Sequence, residues 1–389
     1  MTIYLDNAAT SFPKPEAVYR ALDNFARTCL ANPGRAGHKM ALAAERELDR
    51  VRHALNRLFD GEAPERFVFT LNCTDALNMA LKGLLQPGDH VVTSNLEHNS
   101  VSRPLRALQL AGQIEVTRVV ADGSGFVDPG DIRRALRPTT RLVVLTHASN
   151  VLGTIQPIAE VGRLVREHDV IFLVDAAQTA GVVDISIRSM NIDLLAFPGH
   201  KSLLGPTGTG ALYVGSRVHL RPWREGGTGG DSASETQPRE FPYYLEGGTP
   251  NVLGIVGLGA GIEYVVARGV DNLRRHEVAL VERLRRRLLD LGQFQVFGSD
   301  DPERTVGTLS FRALTVSAPE MGAILDQAFD IAVRPGLHCA PYIHRTLGTF
   351  PEGTVRVSTG PFNTVEDVDR LVEALQEIIA SASLAAVRK

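Results

Sequence analysis

The sequence predicts an α/β protein in two parts, a mainly parallel sheet wrapped by helices and then a smaller α+β domain. Three observations carry this reading. Short apolar runs alternate with helical patterns from residue 66 to residue 175, as strands joined by helical crossovers do. Polar residues (Thr70, Thr93, His147 and Asp175) stand near the ends of those runs, where open α/β sheets bind their ligands. Beyond Thr249 the texture changes to a long helical stretch with more widely spaced strand-like runs.

Taken in order, the strand-like runs are 66–70, 90–93, 114–119, 141–145 and 171–175, and the helical patterns between them are 75–85, 101–110, 129–136 and 158–167. Strictly alternating strands and helices favour parallel pairing through right-handed crossovers. A further apolar stretch, Leu194, Leu195, Ala196 and Phe197, leads to a lysine in a glycine-flanked loop, Gly199-His200-Lys201 ahead of Gly205-Pro206-Thr207-Gly208. Residues 226–238 are rich in Gly, Ser and Thr and read as an exposed loop. Residues 252–291 read as one long helical stretch, with Arg283, Arg285, Arg286 and Arg287 on a solvated face. Residues 307–311 and 354–358 then read as strands, 319–329 and 365–379 as helices, and the alanine-rich C-terminal tail as a fraying end. The domains expected are 14–250, large, and 1–13 with 251–389, small.

With 389 residues, 44% of them hydrophobic, the chain is ample for two cores. A formal net charge of −3 argues against a nucleic-acid or membrane partner recruited by bulk charge. No basic segment followed by an apolar stretch opens the sequence, and Asp6 comes too early for a signal peptide. The reading is therefore a cytoplasmic protein with no membrane partner. Cys29, Cys73 and Cys339 are the three cysteines. Without a C-x-x-C pair or a His/Cys cluster they imply neither a disulfide framework nor a metal site, and their odd number invites one reactive thiol.

The strand at 171–175 ends on the carboxylate of Asp175, and Lys201 follows in its glycine-rich loop. Together these are what pyridoxal 5'-phosphate requires: a lysine amine to hold its aldehyde, and a carboxylate to keep its ring nitrogen protonated so that the ring can act as an electron sink. Each is ordinary alone, because strand-end aspartates commonly cap helices and loop lysines are usually exposed. Residues 70–75, Thr-Leu-Asn-Cys-Thr-Asp, run from a strand into a helix. The amides of Cys73, Thr74 and Asp75 with the Thr74 hydroxyl suit a phosphate at the helix N-terminus; the alternative is that Thr74 is only the helix cap.

Seven segments in one order widen the reading: 4–10, Glu97-His98, Ser149-Asn150, 175–178, 199–201, 247–251 and 334–339. They resemble the class V aminotransferase group over nearly the whole chain, and within it the cysteine desulfurases. The resemblance implies a fold of the aspartate aminotransferase-like kind, with a mainly parallel seven-stranded sheet in the large domain. It implies Thr74 and His200 as phosphate contacts, although Pro198 stands where many relatives have a serine. It also implies His98 stacked on the cofactor ring, and Asn150 and Gln178 bonded to the substrate carboxylate side and the ring hydroxyl. By the same resemblance Thr249 reaches the phosphate site of a partner subunit in a homodimer. Arg356 grips the substrate carboxylate, which a guanidinium does bidentately, with Arg35 and Asn7 as further substrate contacts.

Sulfur chemistry then turns on Cys339. A desulfurase binds L-cysteine through the cofactor, and a thiolate attacks the substrate sulfur to give a protein persulfide and L-alanine. Residues 335–342 carry Pro and Gly and no apolar period, so they read as a mobile gating loop that passes sulfur to an acceptor protein or thiol, with Arg334 and His338 favouring the thiolate. Cys73 and Cys29 read as packing thiols. The alternatives are a selenocysteine lyase acting on L-selenocysteine, a C–S lyase with no persulfide, and a binding or regulatory protein on the same fold.

Overall fold

The computed structural model describes residues 2–34, 37–229 and 233–387. Its first elements are β1 (Ile3–Tyr4), α1 (Glu16–Thr28), α2 (Lys39–Leu58), β2 (Phe67–Thr70), α3 (Cys73–Leu84), β3 (Asp89–Ser94), α4 (Asn99–Leu110) and β4 (Ile114–Val119). Next come α5 (Pro129–Ala135), β5 (Thr140–Thr146), α6 (Ile158–Glu167), β6 (Ile171–Asp175), β7 (Leu194–Pro198), β8 (Gly210–Val214) and α7 (Val252–Arg268). The last third holds α8 (Val270–Leu291), β9 (Phe294–Phe297), β10 (Thr308–Ala313), α9 (Ala318–Phe329) and β11 (Ile331–Ala332). The chain closes with β12 (Arg334–Gly336), α10 (Pro341–Thr346), β13 (Thr354–Ser358) and α11 (Val365–Val387).

The main sheet has seven strands in the order β2-β8-β7-β6-β5-β3-β4. Only β8 runs antiparallel, to both of its neighbours; the other pairs are parallel. Its central strands are apolar throughout because both faces are covered, and the two-residue period sorts their side chains between two layers. Leu142, Val144, Leu173, Leu194 and Ala196 pack with α3 and α4. Val143, Leu145, Phe172, Val174, Leu195 and Phe197 pack with α2, α6 and α7. The polar ends of β3, β5 and β6 (Ser94, Thr146 and Asp175) thus lie at one edge of a dry sheet.

The smaller unit is an antiparallel sheet, β12-β13-β10-β9. Its apolar face, with Leu309, Phe311, Val355 and Val357, is covered by Leu284 and Leu288 of α8, Met321 and Leu325 of α9, and Leu371 and Leu375 of α11. β1 pairs in parallel with β11, and Leu5 enters the same core. The first residues therefore pack with the last third of the chain.

Three sequence expectations need correction. The stretch 252–291 is two helices, broken at Gly269, whose φ is +84°, with a bend of 82°. Val252, Ile255, Leu258 and Ile262 of α7 pack with Phe25, Leu48 and Val51 in the large core. The arginines of α8 do not form one solvated face: Arg285 is buried and donates to the Phe297 carbonyl, and Arg283 pairs with Asp369. The C-terminal helix continues to Val387. Among the described residues, those of 226–238 form neither helix nor strand, and no single helix is long and apolar enough to cross a membrane.

Candidate active site

At the carboxyl edge of the main sheet lies a cavity of ≈ 160 Å³. It is lined by Cys73, Thr74, His98, Asn150, Asp175, Gln178, His200 and Lys201, together with Asn72, Leu77, Ser100, Thr146, Ala177 and Pro198. Lys201 reaches it because β7 ends in a turn closed by Gly199 N donating to Thr209 O and Gly205 N to Gly199 O, both at 2.8 Å. A Cβ on Gly199 would strike Thr209 Oγ1. The His200 carbonyl accepts from Ser11 N at 3.1 Å and from Lys14 Nζ at 2.7 Å, which clamps the peptide preceding the lysine.

Burial sets the electrostatics. It pushes the Lys201 amine down to about 8, with Arg356 adding to the effect and Asp175 opposing it. Asp175 is raised by burial and held down in part by the Ala177 amide, Lys201 and the Cys73 thiol. Its Oδ1 accepts from Ala177 N at 2.9 Å and from Cys73 Sγ at 3.4 Å. His98 caps α4, its Nδ1 accepting from Ser100 N at 3.0 Å. Burial and the cations Lys201, Arg334, Arg356 and Arg103 push it down to about 4. It is neutral at pH 7, with the proton on Nε2, because Nδ1 is an acceptor.

At the other end of the cavity the cap of α3 is Asn72, whose Oδ1 accepts from Asp75 N at 2.9 Å. Asp75 N–H is therefore occupied by Asn72, and Asp75 is not among the residues lining the cavity. Thr74 is not the cap; its hydroxyl bonds Ser100 Oγ at 2.7 Å. The Cys73 and Thr74 amides remain as first-turn donors without an intrahelical acceptor.

Arg356 is 1% exposed. Its Nη2 donates to Asp6 Oδ1 at 2.6 Å and its Nη1 to the Asn150 carbonyl at 3.1 Å, while Nε has no partner. The Asn150 amide donates to the His338 carbonyl at 2.6 Å. A continuous path thus runs from the guanidinium to the cysteine segment. There His338 and Cys339 are both left-handed, with φ of +48° and +58°, a conformation costing about 1–2 kcal/mol per non-glycine residue. It is held by Asn99 N donating to Cys339 O at 2.7 Å and by His338 Nε2 with Thr354 Oγ1 at 3.0 Å. Ala340 and Ile343 pack into the large core.

The segment 335–342 is therefore anchored through His338, Cys339 and Ala340. Arg334 Nη2 lies 3.9 Å from Cys339 Sγ. His338 contributes no positive charge, since burial beside Arg356 holds its pKa well below the usual value.

A model of the class-V aminotransferase family matches residues 3–371. The chain belongs to the class-V aminotransferase family. A probable cysteine desulfurase of Methanothermobacter thermautotrophicus is 38% identical over 97% of this chain and 94% of its own length. A cysteine desulfurase of Salmonella dublin is 32% identical over 96% and 93%. The apo structure of the cysteine desulfurase from Thermococcus onnurineus NA1 superposes with a TM-score of 0.92 at 32% identity, covering 98% of this chain and 95% of that one. The Escherichia coli cysteine desulfurase CsdA, in its S-sulfonic acid form, gives 0.88 at 29% identity, covering 97% and 95%.

Within this class-V frame Asn7 and Thr249 are not among the residues lining the cavity. The Asn7 amide donates to the Ser358 carbonyl and to Asn363 Oδ1, each at 3.1 Å, so Asn7 ties the N-terminal segment to the smaller unit. Thr249 is exposed and borders a separate recess with Phe69, Arg224 and Glu246. Arg35 lies outside the described residues. Sequence reading missed Asp6, Ser100 and Lys14. Asp6 and Ser100 each sat one or two positions from a residue it singled out, but only the tertiary contacts with Arg356 and Thr74 mark them.

Proposed function

We propose that this class-V protein is a pyridoxal-phosphate-dependent cysteine desulfurase that converts L-cysteine to L-alanine and takes the sulfur on Cys339 as a persulfide. The observation that carries this reading is the link from Arg356 through Asn150 to His338 and Cys339, which sets a carboxylate grip and a thiol in fixed register beside the Lys201 cavity. The donor set fits the cofactor. It offers a buried lysine for the aldehyde, Asp175 with Oδ2 unclaimed for the ring nitrogen, and two free first-turn amides for the phosphate.

Lys201, Asp175, Thr74, His98, Gln178 and His200 would hold pyridoxal phosphate, which when bound supplies an electron sink for the substrate's α-carbon. The Arg356 guanidinium holds the α-carboxylate through its unpartnered Nε and through Nη2, which it shares with Asp6. Lys201, its pKa lowered by burial to about 8, carries protons to and from the substrate. Neutral His98 gives the ring an uncharged face. The Cys339 thiolate, beside Arg334, attacks the substrate sulfur; the S–S bond forms as the C–S bond breaks, and protonation of the carbon chain yields alanine.

Because the thiol segment is pinned, the acceptor comes to the persulfide. Exposed Thr249, between Gly248 and Pro250, supports a homodimer in which it completes the partner's phosphate site. The test is incubation of the purified, pyridoxal-phosphate-loaded protein with L-cysteine. Alanine release with one added sulfur atom on the Cys339 peptide by mass spectrometry is the expected result. Sulfide, pyruvate and ammonia in place of alanine, with Cys339 unmodified, would replace the desulfurase with a C–S lyase.

A further inference from the structure

Cys73 does more than pack. Its buried thiol lies at 3.4 Å from Asp175 Oδ1, and both residues line the cavity that holds Lys201. The contact follows from the fold. β2 delivers Cys73 as the first residue of α3, and β6 ends on Asp175. Asp175 is 2% exposed, so the net worth of each donor to its carboxylate is larger than it would be in water. Both protein donors, Ala177 N–H and Cys73 S–H, reach the same oxygen. That arrangement fixes the plane of the carboxylate and leaves Oδ2 toward the cavity.

We infer that Cys73 is a positioning residue for the cofactor-binding carboxylate: its S–H donates to Asp175 Oδ1, fixing the orientation of Asp175 and tuning its basicity toward the ring nitrogen of bound pyridoxal phosphate. This rests on the pyridoxal-phosphate reading of the site. The thiol is suited to the role because it stays protonated: burial first, and then the neighbouring Asp175 charge, raise its pKa well above the usual value, with Lys201 opposing. It is thus a donor and not a second nucleophile. S–H is a weak donor, so serine at this position strengthens the interaction and alanine deletes it. The other titratable groups around Asp175 are Lys201 from the turn after β7, Glu97 from the turn after β3, and His147 just beyond β5. Glu97 and His147 are held uncharged at neutral pH by burial.

The sign of the effect follows from the carboxylate. A lost donor destabilises the anion, so Asp175 protonates at higher pH and releases its hold on the ring nitrogen sooner on acidification. The first measurement is an acid titration of the pyridoxal-phosphate-loaded protein followed by cofactor absorbance. The midpoint of cofactor loss should rise by about half a pH unit or more in Cys73→Ala and fall in Cys73→Ser. The second needs no cofactor. The infrared S–H stretch isolated as wild type minus Cys73→Ser should shift to higher frequency when Asp175→Asn removes the anionic acceptor. Unmoved midpoints in both variants, or an S–H band indifferent to Asp175→Asn, would overturn the inference. A protein that shows the Asp175-dependent S–H band but binds no pyridoxal phosphate would retain the Cys73–Asp175 contact and overturn the cofactor reading instead.

Discussion

Asp6 and Arg356, 350 residues apart in the chain, are ion-pair partners at 2.6 Å. The pair occupies the guanidinium that is proposed to receive the substrate carboxylate, and it ties the N-terminal segment to the sheet of the smaller unit. Asp6→Ala should leave Arg356 buried without a carboxylate and destabilise the protein by about 3 kcal/mol, read as a fall in Tm. Saturating L-alanine should restore more of the lost Tm in the variant than it adds to wild type. Equal shifts in both would show that the product carboxylate does not engage Arg356.

Lys201 carries the cofactor chemistry in this reading. Lys201→Ala should reduce alanine formation from L-cysteine by roughly 10³-fold or more, and cofactor should become removable by gel filtration. Wild-type-like turnover in that variant would dismiss the proposed chemistry altogether.

The buried Lys201 amine titrates at about 8 in place of the ordinary 10.5. Only its neutral form attacks an aldehyde. The rate at which cofactor-free protein takes up pyridoxal phosphate should therefore rise with pH and reach half its maximum near pH 8, followed by stopped-flow absorbance. A rise continuing beyond pH 10 would mean that the amine is not desolvated.

Under the proposed function, Cys339 should separate sulfur from selenium chemistry. Sulfur needs the attacking thiolate, whereas selenium leaves more readily, so Cys339→Ala should lose about 10²-fold or more of its L-cysteine activity and keep most of its L-selenocysteine activity. Parallel loss with both substrates would make the cysteine a structural part of the strained turn.

Glu97 is 1% exposed, with Oε1 accepting from Ser94 Oγ at 2.7 Å and Thr146 N at 3.1 Å, and Oε2 unpartnered. Burial raises its pKa from 4.5 to about 8. Between those values the unfolded chain has released the proton and the folded one has kept it, so Glu97 makes stability fall as pH rises through that window. Glu97→Gln should remove this fall, measured by urea denaturation at a series of pH values. An unchanged slope would place the carboxyl in contact with water.

Much of the large unit was legible in one dimension. The strands of the 66–175 region and Asp175 at the end of β6 follow from apolar runs bounded by polar residues, because a strand covered on both faces must be apolar and its open end need not be. The break at Gly269 was not legible: α7 and α8 share one helical pattern, and only packing on two different cores shows that the chain turns by 82° there. The same holds for Arg285, which reads as a surface charge beside its arginine neighbours until the Phe297 carbonyl claims it.

The sequence by itself pointed to the chemistry proposed for the chain, because Lys201, Asp175, Arg356 and Cys339 are defined by their functional groups and by ordered motifs around them. Tertiary structure alone decided how those groups are set. It gave Asp75 N–H to Asn72, Asn7 to Ser358 and Asn363, and the Cys73 thiol to Asp175, and it turned a glycine- and proline-rich segment into a pinned, left-handed turn. The physical reason is that hydrogen bonds and desolvation depend on distance in space. Each of these partners, save Asn72, is contributed by an element remote in the chain, and no local pattern encodes which donor will find which acceptor once the two cores close.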